Sequence, residues 1–189
     1  MPRKNCLIKL SGDCLEGSVL EWIRELSHTY FVVICVGGGT QIKKAFAKAG
    51  FPDSAYGPLG RETKTFPERQ LARDVLEQNQ AALQDRLAEE NIPALVAIPV
   101  LEIGNVLCHV NGDQFVLTAY LGYDAVYVVT LPEREAKKRK DFEPYPKITV
   151  VSFPNEQAPE PALPTGITPD GQSEEGAKTS TESILCTMK

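Results

Sequence analysis

Histidine is nearly missing from this chain: 189 residues contain two, His28 and His109. Five cysteines are present (Cys6, Cys14, Cys35, Cys108 and Cys186), but none stands in a C-x-x-C pair. The usual ligand sets of a zinc site are therefore absent, and no metal site is expected. Neither histidine has a nucleophile or ligand pattern beside it, which leaves both a structural or exposed role. No apolar run approaches about 18 residues, so no membrane-spanning helix and no membrane partner are expected. Positive charge is also short: 20 Lys and Arg stand against 25 Asp and Glu, a net charge of −5. That excludes a general nucleic-acid binder, and the basic run Lys137-Lys138-Arg139-Lys140 reads as a solvated loop or helix end. An odd cysteine count without a signal-peptide pattern points to a reducing cytoplasm. Cys6 and Cys35 lie in apolar runs, where a free thiol behaves as a small hydrophobe.

What is present is a chain long enough for one α/β domain, with 42% hydrophobic and 24% charged residues, ordinary for a globular protein. Its sharpest local feature is Val32-Val33-Ile34-Cys35-Val36 running into Gly37-Gly38-Gly39. An unbroken β-branched run reads as a buried parallel strand. The glycines after it make a turn whose backbone N–H groups can close on an anion at the mouth of the next helix. Leu7-Ile8-Lys9-Leu10-Ser11-Gly12 repeats the design earlier in the chain. Two such turns suggest a site for phosphate or carboxylate groups.

The pattern predicts strands over 6–10, 30–36, 94–99, 125–130 and 147–153, and helices over 18–28 (Ser18 as N-cap; Val19, Trp22, Ile23 and Leu26 on one face) and 40–49 (ended by Gly50). A long helix over 67–90 opens at Pro67 and carries the stripe Leu71, Val75, Leu76, Leu83 and Leu87, for packing on the sheet or on a second subunit. Residues 51–66 read as a loop. For 106–121 two readings compete: a hairpin turning at Asn111-Gly112, or strand, turn and then a helix over 115–121 begun by Asp113 and ended by Gly122. The second is preferred because a clear strand follows Gly122. From Pro154 onward prolines, Glu, Ser, Thr and Gly dominate, too little apolar surface to offset the entropy of ordering. The expected organisation is a three-layer α/β domain over 1–153, a mostly parallel sheet with helices on both faces, and a disordered tail over 154–189.

The turns do not fit the commonest nucleotide motifs: the later glycine of a dinucleotide fingerprint is absent, and so is G-x-x-x-x-G-K-[ST]. Lys9-Leu10-Ser11-Gly12, Val36-Gly37-Gly38-Gly39, and Asn111-Gly112-Asp113 followed by the run from Leu121 to Thr130 resemble, in this order, motifs of the amino acid kinase superfamily. The likeness covers roughly residues 5–131 and is greatest to the uridylate kinase branch. The resemblance implies an amino acid kinase-like fold and phosphoryl transfer from ATP, with Mg2+ accompanying it, to a small phosphate or carboxylate acceptor. It implies that Lys9 stabilises charge on the transferred group. Ser11 and Gly12 would lie at those phosphates, and Gly37, Gly38 and Gly39 would hold the acceptor anion, with Lys43 near the place of a uridylate-kinase arginine. Asp113 would orient Lys9, and Arg61 is a candidate contact to the anion. A homo-oligomer is the expected assembly.

The chain departs from that family after Thr130. Leu131-Pro132-Glu133-Arg134 replaces a glycine-containing turn, and one short strand stands where the nucleotide-binding half would begin. Phe66-Pro67 stands near the place of an acidic residue that uridylate kinases use at the nucleotide sugar. Three readings stay open: a small kinase with a compact or partner-completed ATP site, a non-catalytic anion-binding module, and a regulatory subunit dimerising through the long helix. Bland readings stand beside the sharp ones. Lys9 can be an edge or snorkelling lysine, the glycines a bare tight turn, Asp113 a helix cap and Arg61 an exposed loop charge.

Overall fold

The apolar runs lie side by side in the middle of one sheet. The computed structural model describes residues 3–15, 17–104 and 106–154. In order these form β1 (Lys4–Leu10), α1 (Gly17–Thr29), β2 (Tyr30–Val36), α2 (Gly39–Ala49), β3 (Tyr56–Gly57), β4 (Gly60–Arg61) and α3 (Phe66–Glu89). Then come β5 (Ala94–Ala97), β6 (Val100–Ile103), β7 (Val106–His109), α4 (Gly112–Ala119), a 3-10 turn (Tyr120–Gly122), β8 (Ala125–Thr130), α5 (Pro132–Phe142) and β9 (Ile148–Ser152). The tail expected over 154–189 lies outside the described residues from 155 on.

Five strands form one parallel sheet in the order β5-β2-β1-β8-β9. β1 is therefore central, with Lys9 opposite Cys35 on one side and Val128 on the other, so the reading of Lys9 as an edge lysine does not hold. Because side chains alternate along a strand, Ile8, Leu10, Ile34 and Val36 face Leu20 and Ile23 of α1 and Leu83 and Leu87 of α3. Leu7, Cys35, Val126 and Val128 face Val116 of α4 and Phe142 of α5 on the other side. This is the expected three-layer α/β arrangement. Trp22 of α1 meets Tyr127 edge-on at 5.2 Å between ring centres. Ala72, Val75 and Leu76 of α3 form a further cluster with Ile42 and Phe46 of α2, so the long helix uses its stripe within the chain. Gln80 and Gln84 of α3 bond the Ala94 and Val96 backbone of β5, covering part of an otherwise open sheet edge.

Several boundaries differ from the sequence reading. The preferred strand-turn-helix over 106–121 is present, but Asn111 rather than Asp113 caps the helix: its side chain accepts from the Asp113 N–H at 3.3 Å. The helix begins at Gly112 and passes into the 3-10 turn before Gly122. Ser18 caps nothing, its Oγ being buried without a partner. Thr65 caps α3 reciprocally with Glu68, a capping box that starts the helix at Phe66, one residue ahead of Pro67. β3 and β4 pair within the supposed loop 51–66, and β6 pairs antiparallel with β7. Of the two readings of the basic run, loop or helix end, the second holds: Lys137–Lys140 lie toward the end of α5. Among the described residues no helix is long and apolar enough to cross a membrane.

Candidate functional site

β1 and β2 both end in small-residue turns at the same edge of the sheet, and that edge opens into a cavity of about 520 Å³. The chain builds β2 and β5 outward from β1 on one side, and β8 and β9 on the other. The reversal between β1 and β8 leaves a crevice beyond the carboxyl ends of the strands, where open α/β sheets hold ligands. All nine residues singled out in the sequence line it: Lys9, Ser11, Gly12, Gly37, Gly38, Gly39, Lys43, Arg61 and Asp113.

Lys9 is the penultimate residue of β1, and the pleat directs its side chain toward Gly112 at the start of α4. Its side chain keeps only 13% of its surface, and its Nζ lies 3.7 Å from Asp113 Oδ1. That distance permits attraction but is too long for a hydrogen bond, and Asp113 Oδ1 is buried without a hydrogen-bond partner. Burial lowers the Lys9 pKa, Asp113 opposes the shift and Lys138 adds to it. Lys138 of α5 binds the other Asp113 oxygen, with 16% of its side chain exposed. One carboxylate thus stands between two lysines. Cys35 beside Lys9 is pushed up to about 12 by burial, which leaves it a thiol and not a nucleophile.

The two glycine turns touch. The Gly37 N–H donates to the Leu10 carbonyl at 2.9 Å, so Gly37 shapes the turn and does not offer that group to an anion. Gly38 and Gly39 remain at the start of α2, which has no side-chain cap and whose first N–H groups lack intrahelical acceptors. Gln41 Nε2 donates to the Gly12 carbonyl at 2.8 Å, and Asn79 Nδ2 to the Gly37 carbonyl at 3.1 Å, fixing both turns. A Cβ on Gly12 would stand 2.7 Å from the Gly37 carbonyl oxygen, which has no flexible side chain to yield. Gly12→Ala is therefore expected to cost about 1–3 kcal/mol by overpacking and to weaken anion binding. Urea unfolding beside phosphate titration checks both, and an unchanged unfolding midpoint would show that the turns part freely.

Arg61 comes from the β3–β4 ladder. Gly60, at φ 128°, backs directly onto the Asn111 N–H, and Asn111 itself donates to the Leu59 carbonyl at 2.7 Å. The guanidinium lies over the rings of Tyr56 (4.7 Å) and Phe46 (5.4 Å), and Nη2 donates to the Gly39 carbonyl at 3.1 Å. Nη1 is buried with no partner. The exposed-charge reading of Arg61 thus fails, because stacking holds the side chain inward. Lys43 is 68% exposed at the rim and pairs with Asp53 at 3.0 Å.

Four contributors escaped the sequence reading. Arg134 and Lys138 lie on α5, whose inner face is mostly polar, so no apolar periodicity announced the helix. Asp13 accepts from Thr40 Oγ1 at 3.0 Å and lies 3.7 Å from Arg134, linking the first turn to α2 and α5. His109 lines the wall, and burial together with Arg73 and Arg69 lowers its pKa, so the ring is neutral at pH 7. His28, by contrast, is exposed on α1. The lining carries five cationic side chains (Lys9, Lys43, Arg61, Arg134 and Lys138) and two carboxylates (Asp13 and Asp113). In a chain of net charge −5 this is a concentrated positive field.

No family model matches the chain. No curated protein matches it either.

Among the described residues no group of three or more His, Cys, Asp or Glu side chains can hold a metal ion. Asp13 and Asp113 are each paired with cations instead. These residues do not form a cage for Mg2+; an ion arriving with a phosphate chain would keep phosphate oxygens and water as ligands.

Proposed function

We propose that the cavity is a phosphoryl-transfer site of the kind used by the amino acid kinase superfamily, holding a small phosphate or carboxylate acceptor and the phosphates of a donor such as ATP. The observation that supports this reading most is the convergence of Lys9, both glycine turns and Asp113, distant in sequence, on one positively charged cavity. Lys9 and Lys138 stabilise the charge on the group in transfer, where fixed cations in a shielded site act most strongly. Asp113 positions both ammonium groups and makes no bond to substrate. The amides of Gly38 and Gly39, Arg61 and, at the rim, Lys43 hold the acceptor, while Ser11 and Gly12 border the transferred group. Magnesium, when bound with the donor, supplies further charge neutralisation.

A second reading, anion binding without turnover, draws support from the pairing of Asp113 with both lysines, which leaves neither fully free for a phosphoryl group. The test is ADP release and thermal shift with the full chain, ATP, Mg2+ and an acceptor panel that includes UMP. Anionic acceptors are expected to raise Tm, with weak or absent transfer by the chain alone. If none of them shifts Tm, both readings fall. Arg61→Lys keeps the charge but loses the stacking fork, and is expected to weaken acceptor binding about tenfold, or ~1.4 kcal/mol. Equal acceptor affinity in that variant would remove Arg61 from the site.

A further inference from the structure

The cavity has two chemically different sides. Its apolar lining includes Ile42, Ala72 and Leu76 of the α2–α3 cluster, and Arg61 stacks on Phe46 of that same cluster. The lining from β1, its following turn, the start of α4 and α5 has no apolar side chain larger than glycine: it consists of Lys9, Ser11, Gly12, Asp13, Gly112, Asp113, Arg134 and Lys138. Three cations stand on this side against two carboxylates. Lys9 is the most enclosed of them, and among the described residues its Nζ makes no hydrogen bond, Asp113 Oδ1 lying 3.7 Å away. Arg134 and Lys138 are four residues apart on α5, so they share a helix face and are separated by about 6 Å along its axis. That spacing suits successive charges along one ligand. A nucleoside ring placed here would desolvate three charges and two carboxylates and gain no apolar contact.

We infer that the α5 side recognises a chain of linked phosphates by its charge alone, so that an inorganic polyphosphate is bound as well as a nucleoside triphosphate. Arg134 and Lys138, held by Asp13 and Asp113, turn their remaining N–H groups to phosphate oxygens, and Lys9 takes the oxygen at the inner end. The assignment of this side to the donor rests on the phosphoryl-transfer reading; the binding preference does not.

Calorimetry on the full chain with tripolyphosphate, pyrophosphate, ATP and adenosine, each with and without Mg2+, tests it. Tripolyphosphate is expected to bind within threefold of ATP, pyrophosphate more weakly, and adenosine not to compete. Arg134→Ala and Lys138→Met are each expected to weaken tripolyphosphate at least fivefold. Arg134 is 51% exposed, so its removal leaves the core intact and keeps the test clear of misfolding. ATP binding tenfold or more above tripolyphosphate, competition by adenosine, or unchanged affinity in both variants would overturn the inference. A chain that binds tripolyphosphate but transfers to no acceptor keeps this inference and rejects the transfer reading. One that transfers from ATP but ignores tripolyphosphate does the reverse.

Discussion

Lys9→Met is expected to leave the fold at least as stable as the parent while reducing phosphoryl transfer, or anion affinity where transfer is absent, by about 10²–10³-fold. The two effects separate because Lys9 works against folding. Its ammonium is buried on the central strand, where desolvation is the largest influence on its pKa and lowers it. Methionine fills much of the same path without the charge, and Lys138 still neutralises Asp113. The sign follows from linkage. A lysine whose folded pKa lies below its unfolded value of about 10.4 makes the unfolded state the better proton binder between the two. Stability from this group therefore rises as pH climbs from the lowered folded pKa to the unfolded one. Anion binding moves the opposite way, since it needs the charged form, and is expected to fade before pH 10.5. Asp113, Lys138, Cys35 and Cys14 are the other ionisable groups acting on Lys9. Urea midpoints and phosphate affinities measured at pH 7 and pH 10 on both proteins decide the matter. A variant that is markedly less stable, or that still binds phosphate, contradicts the role given to Lys9.

Asp113→Asn is expected to behave in the contrary sense: a loss of about 3 kcal/mol of stability, together with tighter binding of orthophosphate. Asparagine keeps the shape but leaves Lys9 and Lys138 facing one another without a counter-charge, and both lysines are largely buried. Removing one member of such a group is costly because charge is left behind, even where the intact group adds little. A bound phosphate replaces the missing carboxylate, so added phosphate should recover stability by mass action. Phosphoryl transfer should nevertheless fall, because the two ammonium groups lose their common positioning partner. Adding Lys138→Met to Asp113→Asn should restore much of the lost stability, and a double-mutant cycle measures that coupling. Additive losses in the cycle would show that the two side chains do not act together.

The comparison between these two residues shows what was readable in advance. Lys9 and Asp113 carry local signatures, one at the end of an apolar strand before a small-residue turn, the other just after Asn-Gly. Local signatures do not say which residue caps a helix when Asn111 and Asp113 are both eligible; the backbone path chose Asn111 and released Asp113 to face Lys9. Arg61 looked like a loop charge because a two-residue ladder has too little periodicity to be seen, and its stacking on Phe46 and Tyr56 joins distant positions. Lys138 was hidden for a different reason: α5 buries Phe142 but shares its inner face with Glu135 and Lys138, so a helix that packs on the sheet has the composition of a solvated one.

The sequence by itself determined the central strands, the two glycine turns and the parallel α/β class, because each follows from short-range rules of burial and backbone freedom. Strand order, the second lysine at Asp113 and the inward turn of Arg61 were decided only by the tertiary structure. They depend on contacts between distant segments, such as Asp13 with Arg134 and Asp113 with both Lys9 and Lys138, and no local pattern encodes which charges meet when a crossover lays α5 against β8 and β9.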